Sequence, residues 1–151
     1  MGRANMMHLP ERLWTLEKPE NVIAEVRQML CDASTVWSKF YEDRTASDFG
    51  HLKDHPFFQK HPRVLAMRQN FKSESPIIGV RNKGKIILVD GHHRATAIAG
   101  MDERESPDVT FALTELNEKD FTKLYEGGRV LKLEKPICDS MNVVRRRIGF
   151  V

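Results

Sequence analysis

Ile86-Ile87-Leu88-Val89-Asp90-Gly91-His92-His93-Arg94-Ala95-Thr96-Ala97-Ile98-Ala99 is the stretch that decides the fold. Its four leading apolar residues read as a buried strand. Asp90 to Arg94 then gather all the polarity, and a small-residue helix begins at once. A strand that passes through a Gly-containing polar turn into a helix makes an anion site. The first-turn N–H groups have no intrahelical acceptor, and the helix dipole favours negative charge there. Gly91 permits backbone angles closed to other residues and lets a ligand approach the main chain. Two imidazoles and a guanidinium at this point can hold phosphate and move protons.

Working outward, Pro76 to Val80 reads as a short strand and Asn82-Lys83-Gly84-Lys85 as a hairpin turn, with Ile86 to Val89 as the return strand. Arg94 to Gly100 is a compact helix with Gly100 as its stop. Asp108 to Leu113 alternates as a further strand. Thr114 or Asn117 caps a helix that runs to Tyr125 and ends at Gly127-Gly128, and Val130, Leu131 and Leu133 suggest a late strand. Towards the N-terminus, Val64, Leu65, Met67 and Phe71 fit a short helix. Residues 44–62 are polar and broken by Pro56 and Pro62, as in a loop or lid. Val22, Ile23, Val26, Met29 and Leu30 recur at helical spacing behind Pro19, ending near Cys31. Val36, Trp37, Phe40 and Tyr41 suggest a second helix, or a continuation of the first after Ser34, that contributes to the core.

These segments predict one α+β domain: a small mixed sheet flanked by helices. Residues 1–70 form its N-terminal helical part, 71–130 its core, and 131–151 a strand and basic tail. The 151 residues suffice for one domain with a core. Lys and Arg number 24 against 21 Asp and Glu, a net charge of +3, which permits nucleic-acid contact without demanding it. Lys83, Lys85, Arg145, Arg146 and Arg147 are the candidates to track a DNA backbone. No exposed aromatic run accompanies them, so stacking on single strands is not supported. Cys31 and Cys138 stand far apart in no metal or redox spacing, which fits a reducing compartment. No apolar run reaches membrane-span length and residues 1–10 lack a secretion-signal core, so a cytoplasmic protein without a membrane span is expected.

Each residue of the turn has a chemistry to offer. Arg94 presents a planar fork to phosphate oxygens. His92 and His93 face different ways, one towards a ligand and the other as a brace, with His93 the candidate general base or acid. Asp90 could ligate Mg²⁺ beside a bound phosphate or accept a hydrogen bond from a histidine. Gly91, His92, His93, Arg94, Ala95 and Thr96 would together line a nucleotide's phosphates, with Asp90, His93 and Arg94 as catalytic residues. The plainer alternative is an Asp-Gly turn with two exposed histidines. His51 and His55 have the i, i+4 spacing of metal ligands, but Pro56 disfavours a helix there. His55 or His61 could instead reach over the phosphate site as part of a lid.

The segment from Pro76 through the hairpin to Asp90-Gly91-His92-His93-Arg94 and the following helix resembles the ParB/sulfiredoxin superfamily over roughly a third of the chain. Sulfiredoxins carry Gly-Gly-Cys-His-Arg; here His92 stands at the position of the attacking Cys, so sulfinic-acid reduction is not expected. Partition ParB proteins carry a Gly-Glu-Arg-Arg type motif and bind CTP. His92 and His93 depart from that motif, and the chain is short for their DNA-binding and dimerisation domains. Other members are free-serine kinases or nucleases. The format is similar to that of small plasmid fertility-inhibition factors of the oncogenic-suppression type. That resemblance implies a nucleotide-binding phosphohydrolase, using ATP or another NTP with Mg²⁺, that also cleaves DNA. It would act against conjugative plasmid or T-DNA transfer, in contact with a conjugation or type IV secretion component. A non-catalytic nucleotide- or DNA-binding module that inhibits a partner protein, and a small-molecule kinase, are the rival readings.

Overall fold

A computed structural model describes residues 11–31, 47–73 and 75–125. In chain order the elements are β1 (Thr15–Glu17), α1 (Val22–Gln28), β2 (Leu30–Cys31), α2 (Phe49–Leu52), α3 (Pro56–Gln59), α4 (Pro62–Gln69), β3 (Ile77–Asn82), β4 (Lys85–Asp90), α5 (His92–Ala99), β5 (Phe111–Glu115) and α6 (Glu118–Tyr125). The strands form one mixed sheet in the order β1-β5-β3-β4-β2. β3 pairs antiparallel with β4 through the hairpin and parallel with β5, which returns after α5. β1 and β2 close the two edges, antiparallel to β5 and parallel to β4 respectively.

Central strands covered on both faces read as continuous apolar runs rather than as alternation. Alternate residues here serve two cores. Ile77, Leu88, Phe111 and Leu113 face α1, α2, α4 and α5 in the larger core, which includes Ile23, Val26, Phe49, Val64 and Ile98. Ile78, Val80, Ile87, Val89 and Ala112 face α6 through Phe121 and Leu124. The sheet is therefore the middle of three layers, and Ile86 to Val89 is apolar because both its faces meet helices.

The hairpin turn lies at Lys83-Gly84, both with positive φ (48° and 81°), as a two-residue connection between twisted strands requires. Asn117 caps α6, its Oδ1 accepting from the Asp120 N–H at 2.8 Å. The third core strand begins at Phe111 rather than Asp108. Helical periodicity after Pro19 holds only to Gln28. Met29 turns extended, and Leu30-Cys31 pair with Ile87-Leu88 of β4. Sheet edge bonds there outweigh the local pattern, and the Cys31 N–H also bonds the Ser47 carbonyl at 3.0 Å. The N-terminal part thus contributes both edge strands as well as helices. The stretch expected to be a loop holds α2 and α3, and Pro56 and Pro62 each sit in the first turn of a short helix, where their missing N–H costs nothing. The helix expected around Val36 to Tyr41, the stop at Gly127-Gly128 and the late strand at Val130 to Leu133 lie outside the described residues.

Candidate functional site

β4 ends at Asp90, and Gly91 turns the chain into α5 with φ 94° and ψ 25°. Only glycine holds that left-handed conformation without strain, and a Cβ there would also lie 3.1 Å from both Arg94 Nη2 and the Ile77 side chain. Gly91 supplies no side-chain cap. The first helical bond runs from the Ala95 N–H to the Gly91 carbonyl at 2.9 Å. The N–H groups ahead of it have no acceptor within the helix.

The two histidines meet different partners. His92 packs inward, its ring 5.9 Å from that of fully buried Phe49. Burial pushes its pKa down to about 4, against the opposing pull of Asp90, so the ring is neutral at pH 7. His93 lies over His61, with ring centroids 5.2 Å apart. Its pKa is held below the ordinary imidazole value by burial, then by the charges of Arg63 and His61. A neutral imidazole at a helix N-terminus can accept a proton.

His61 is the N-cap residue of α4, again without a side-chain cap bond, and its Nδ1 is buried without a hydrogen-bond partner. Arg63 follows in the first turn, exposed and with no hydrogen bond or ion pair to a described residue. At the other end of α4, Arg68 lies over Gly100, the C-cap of α5: a Cβ on Gly100 would fall 2.0 Å from Arg68 Nη2. His61 beside His93 and Arg68 beside Gly100 are each seven residues apart along their helices. α4 and α5 therefore run side by side in the same direction. Their positive dipole ends converge on one spot, which also carries His61, Arg63 and His93. At the opposite end Arg27 binds the carbonyls of Ala99 (3.0 Å) and Met101 (3.1 Å), a cation at the negative end of α5.

Arg94 does not project into this spot. Its Nη1 donates to Ser73 Oγ (3.2 Å) and to the Ser75 carbonyl; its Nη2 donates to the Pro76 carbonyl (3.3 Å) and lies 3.7 Å from Asp90 Oδ2. The guanidinium ties α5 to the segment entering β3. Ala95 and Thr96, placed by sequence among the nucleotide contacts, are fully buried, and the Thr96 hydroxyl donates to the His92 carbonyl at 2.8 Å. Lys83 and Lys85 sit at the far end of β4 from Asp90, about 17 Å away at strand rise. Lys83 pairs with Glu118 (3.4 Å) and Lys85 lies over the Tyr125 ring. Arg145, Arg146 and Arg147 lie outside the described residues.

Among the described residues, no three His, Cys, Asp or Glu side chains group as a metal site. Asp90, the residue expected to ligate Mg²⁺, has its Oδ2 3.7 Å from Arg94 Nη2. His51 bonds Asp48 (2.6 Å) and His55 caps α3 through the Phe57 N–H (3.2 Å), so each is tied to its own short helix. Of the two histidines expected to approach the turn, His61 is the one that packs against His93. Sequence reasoning missed Arg63. The signal available was His61-Pro62-Arg63, a cap residue and a first-turn proline followed by a cation.

No known protein family, no curated protein and no solved structure matches the chain. Among the described residues, no helix is long and apolar enough to cross a membrane.

Proposed function

We propose that the converging N-terminal ends of α4 and α5 bind a nucleotide's phosphates, and that the protein is a nucleotide-binding phosphohydrolase that also cuts DNA. In this reading it inhibits conjugative plasmid or T-DNA transfer. The observation that carries the phosphate reading is the pairing of His61 and Arg63 with His93 at two aligned helix N-termini. The N–H groups of α5 and the Arg63 guanidinium hold the phosphate oxygens and stabilise charge in the transition state. Neutral His93 takes a proton from the attacking water as the new O–P bond forms and the bond to the leaving phosphate breaks. Mg²⁺ accompanies the nucleotide and neutralises its phosphates; no step is assigned to it on the protein. The DNA-cleaving and transfer-inhibiting parts rest on the resemblance of the Asp90–Arg94 motif.

Phosphate release from ATP and CTP tests this, for wild type, His93→Gln and Arg63→Gln, with plasmid DNA run on a gel afterwards. The expected result is turnover that falls roughly 100-fold in His93→Gln and a raised KM in Arg63→Gln. Binding without turnover would favour the second reading, a nucleotide-responsive module that inhibits a partner by contact. Absence of nucleotide binding would overturn both.

A further inference from the structure

Seven arginines fall in the described residues, and five are paired. Arg12 meets Glu115 and Asp120, Arg27 meets Ala99, Met101 and Glu103, Arg81 meets Glu17 and Glu115, Arg94 meets Ser75 and Pro76, and Arg104 meets Asp102. Arg63 is exposed, so water serves it. Arg68 is half-buried, and its Nε and Nη2 are buried with no hydrogen-bond partner. A guanidinium withdrawn from water without an acceptor is costly, and the dipole end of α5 offsets only part of that cost.

Arg68 borders a cleft of about 680 Å³ at the C-terminal end of α5. Two chain segments form its walls. One brings Arg68, Phe71 and Lys72; the other brings Met101, Glu105 and Asp108. One wall is basic, the other acidic, and each carries a large apolar side chain. Asp108 is occupied by Lys18 at 3.0 Å, which leaves Glu105 as the cleft carboxylate without an ion-pair partner among the described residues. A polyphosphate or nucleic acid would meet repulsion from the acidic wall. A small molecule carrying both a carboxylate and an ammonium matches both walls.

We propose that this cleft binds a free amino acid with an apolar side chain. Its carboxylate pairs with Lys72 and with Arg68 through Nη1, the guanidinium nitrogen that is not buried, its ammonium pairs with Glu105, and its side chain packs on Phe71 and Met101. The site is separate from the phosphate site at the other end of α5, and it stands whether or not nucleotide is turned over.

Norleucine is the probe, titrated into the full chain by calorimetry beside hexanoate, hexylamine and inorganic phosphate. Two variants locate the site. Arg68→Gln removes the charge. Gly100→Ala keeps it but places a methyl where the guanidinium lies; Gly100 has φ −87° and ψ 0°, so alanine fits the backbone and the flexible Arg68 gives way. Norleucine should bind wild type, and each variant should weaken it about ten-fold or more, the size of a lost charge-assisted contact. Both variants should keep the wild-type urea midpoint or exceed it. The proposal is overturned if norleucine fails to bind wild type at millimolar concentration, or if both variants bind it unchanged. Hexanoate or phosphate binding as tightly as norleucine would likewise overturn the amino-acid assignment.

Discussion

His92 and His93 are neighbours in sequence with opposite duties, and proton linkage separates them. His92 has a folded pKa of about 4 against 6.5 in an unfolded chain. Between those values the unfolded state binds more protons, so stability is highest above the unfolded pKa and falls as pH drops through the window. Unfolding free energies from urea titrations between pH 7 and pH 4 should decline by on the order of 2 kcal/mol, and His92→Gln should flatten the decline. His93, also lowered, stays neutral at pH values below the ordinary imidazole range. Under the proposed chemistry, the acid limb of turnover should fall below pH 6.5 and vanish in His93→Gln. Arg94 belongs to a different category of effect. Its side chain is 14% exposed and bonds carbonyls of the strand entry. Arg94→Ala should cost about 1–3 kcal/mol in urea unfolding, because buried carbonyls lose their donors. Loss of activity in that variant would therefore report the framework; Arg63→Gln is the test of phosphate contact.

At the level of elements, the β4–α5 junction depends on one backbone conformation. Gly91→Ala forces a left-handed alanine against Ile77 and Arg94, and should destabilise by about 1–3 kcal/mol in thermal or urea unfolding. The α4–α5 pair is the other element-scale device. Aligned helices place like dipole ends together, which is unfavourable by itself. Cations at the C-terminal end and an anion at the N-terminal end both relieve it. Phosphate should therefore raise the melting temperature of wild type, and less so in Arg63→Gln. The strand–turn–helix unit and the hairpin were legible in the sequence because their signals are local: a run of apolar residues, Gly84, Gly91 and Gly100. β2 was not, because Leu30 and Cys31 continue a helical spacing and become a strand only through pairing with Ile87 and Leu88.

Across the whole molecule, the three layers separate stability from the site. Phe121 and Leu124 fasten α6 to the face of the sheet away from α4 and α5. Phe121→Ala should cost about 3–4 kcal/mol of unfolding free energy, yet leave nucleotide affinity unchanged at temperatures where the variant is folded. Phe49 lies in the larger core and touches His92. Phe49→Leu should instead disturb both stability and the pH profile. A matched pair of measurements, urea unfolding and nucleotide titration on both variants, checks whether the two faces act independently.

The sequence alone determined the sheet's centre and the position of the candidate site. Ile77 to Asn82, Lys85 to Asp90 and the helix from His92 are written in contiguous residues, as is the left-handed turn at Gly91. It also named His55 or His61 as able to reach that turn, without choosing between them. Tertiary structure decided which groups are available there. Arg94 is drawn to the carbonyls of Ser75 and Pro76, and Thr96 to the His92 carbonyl, because buried backbone acceptors require donors. Arg63 arrives from thirty residues away only because α4 packs parallel to α5. No local pattern encodes that approach, since the direction of one helix against another is fixed by the core they share.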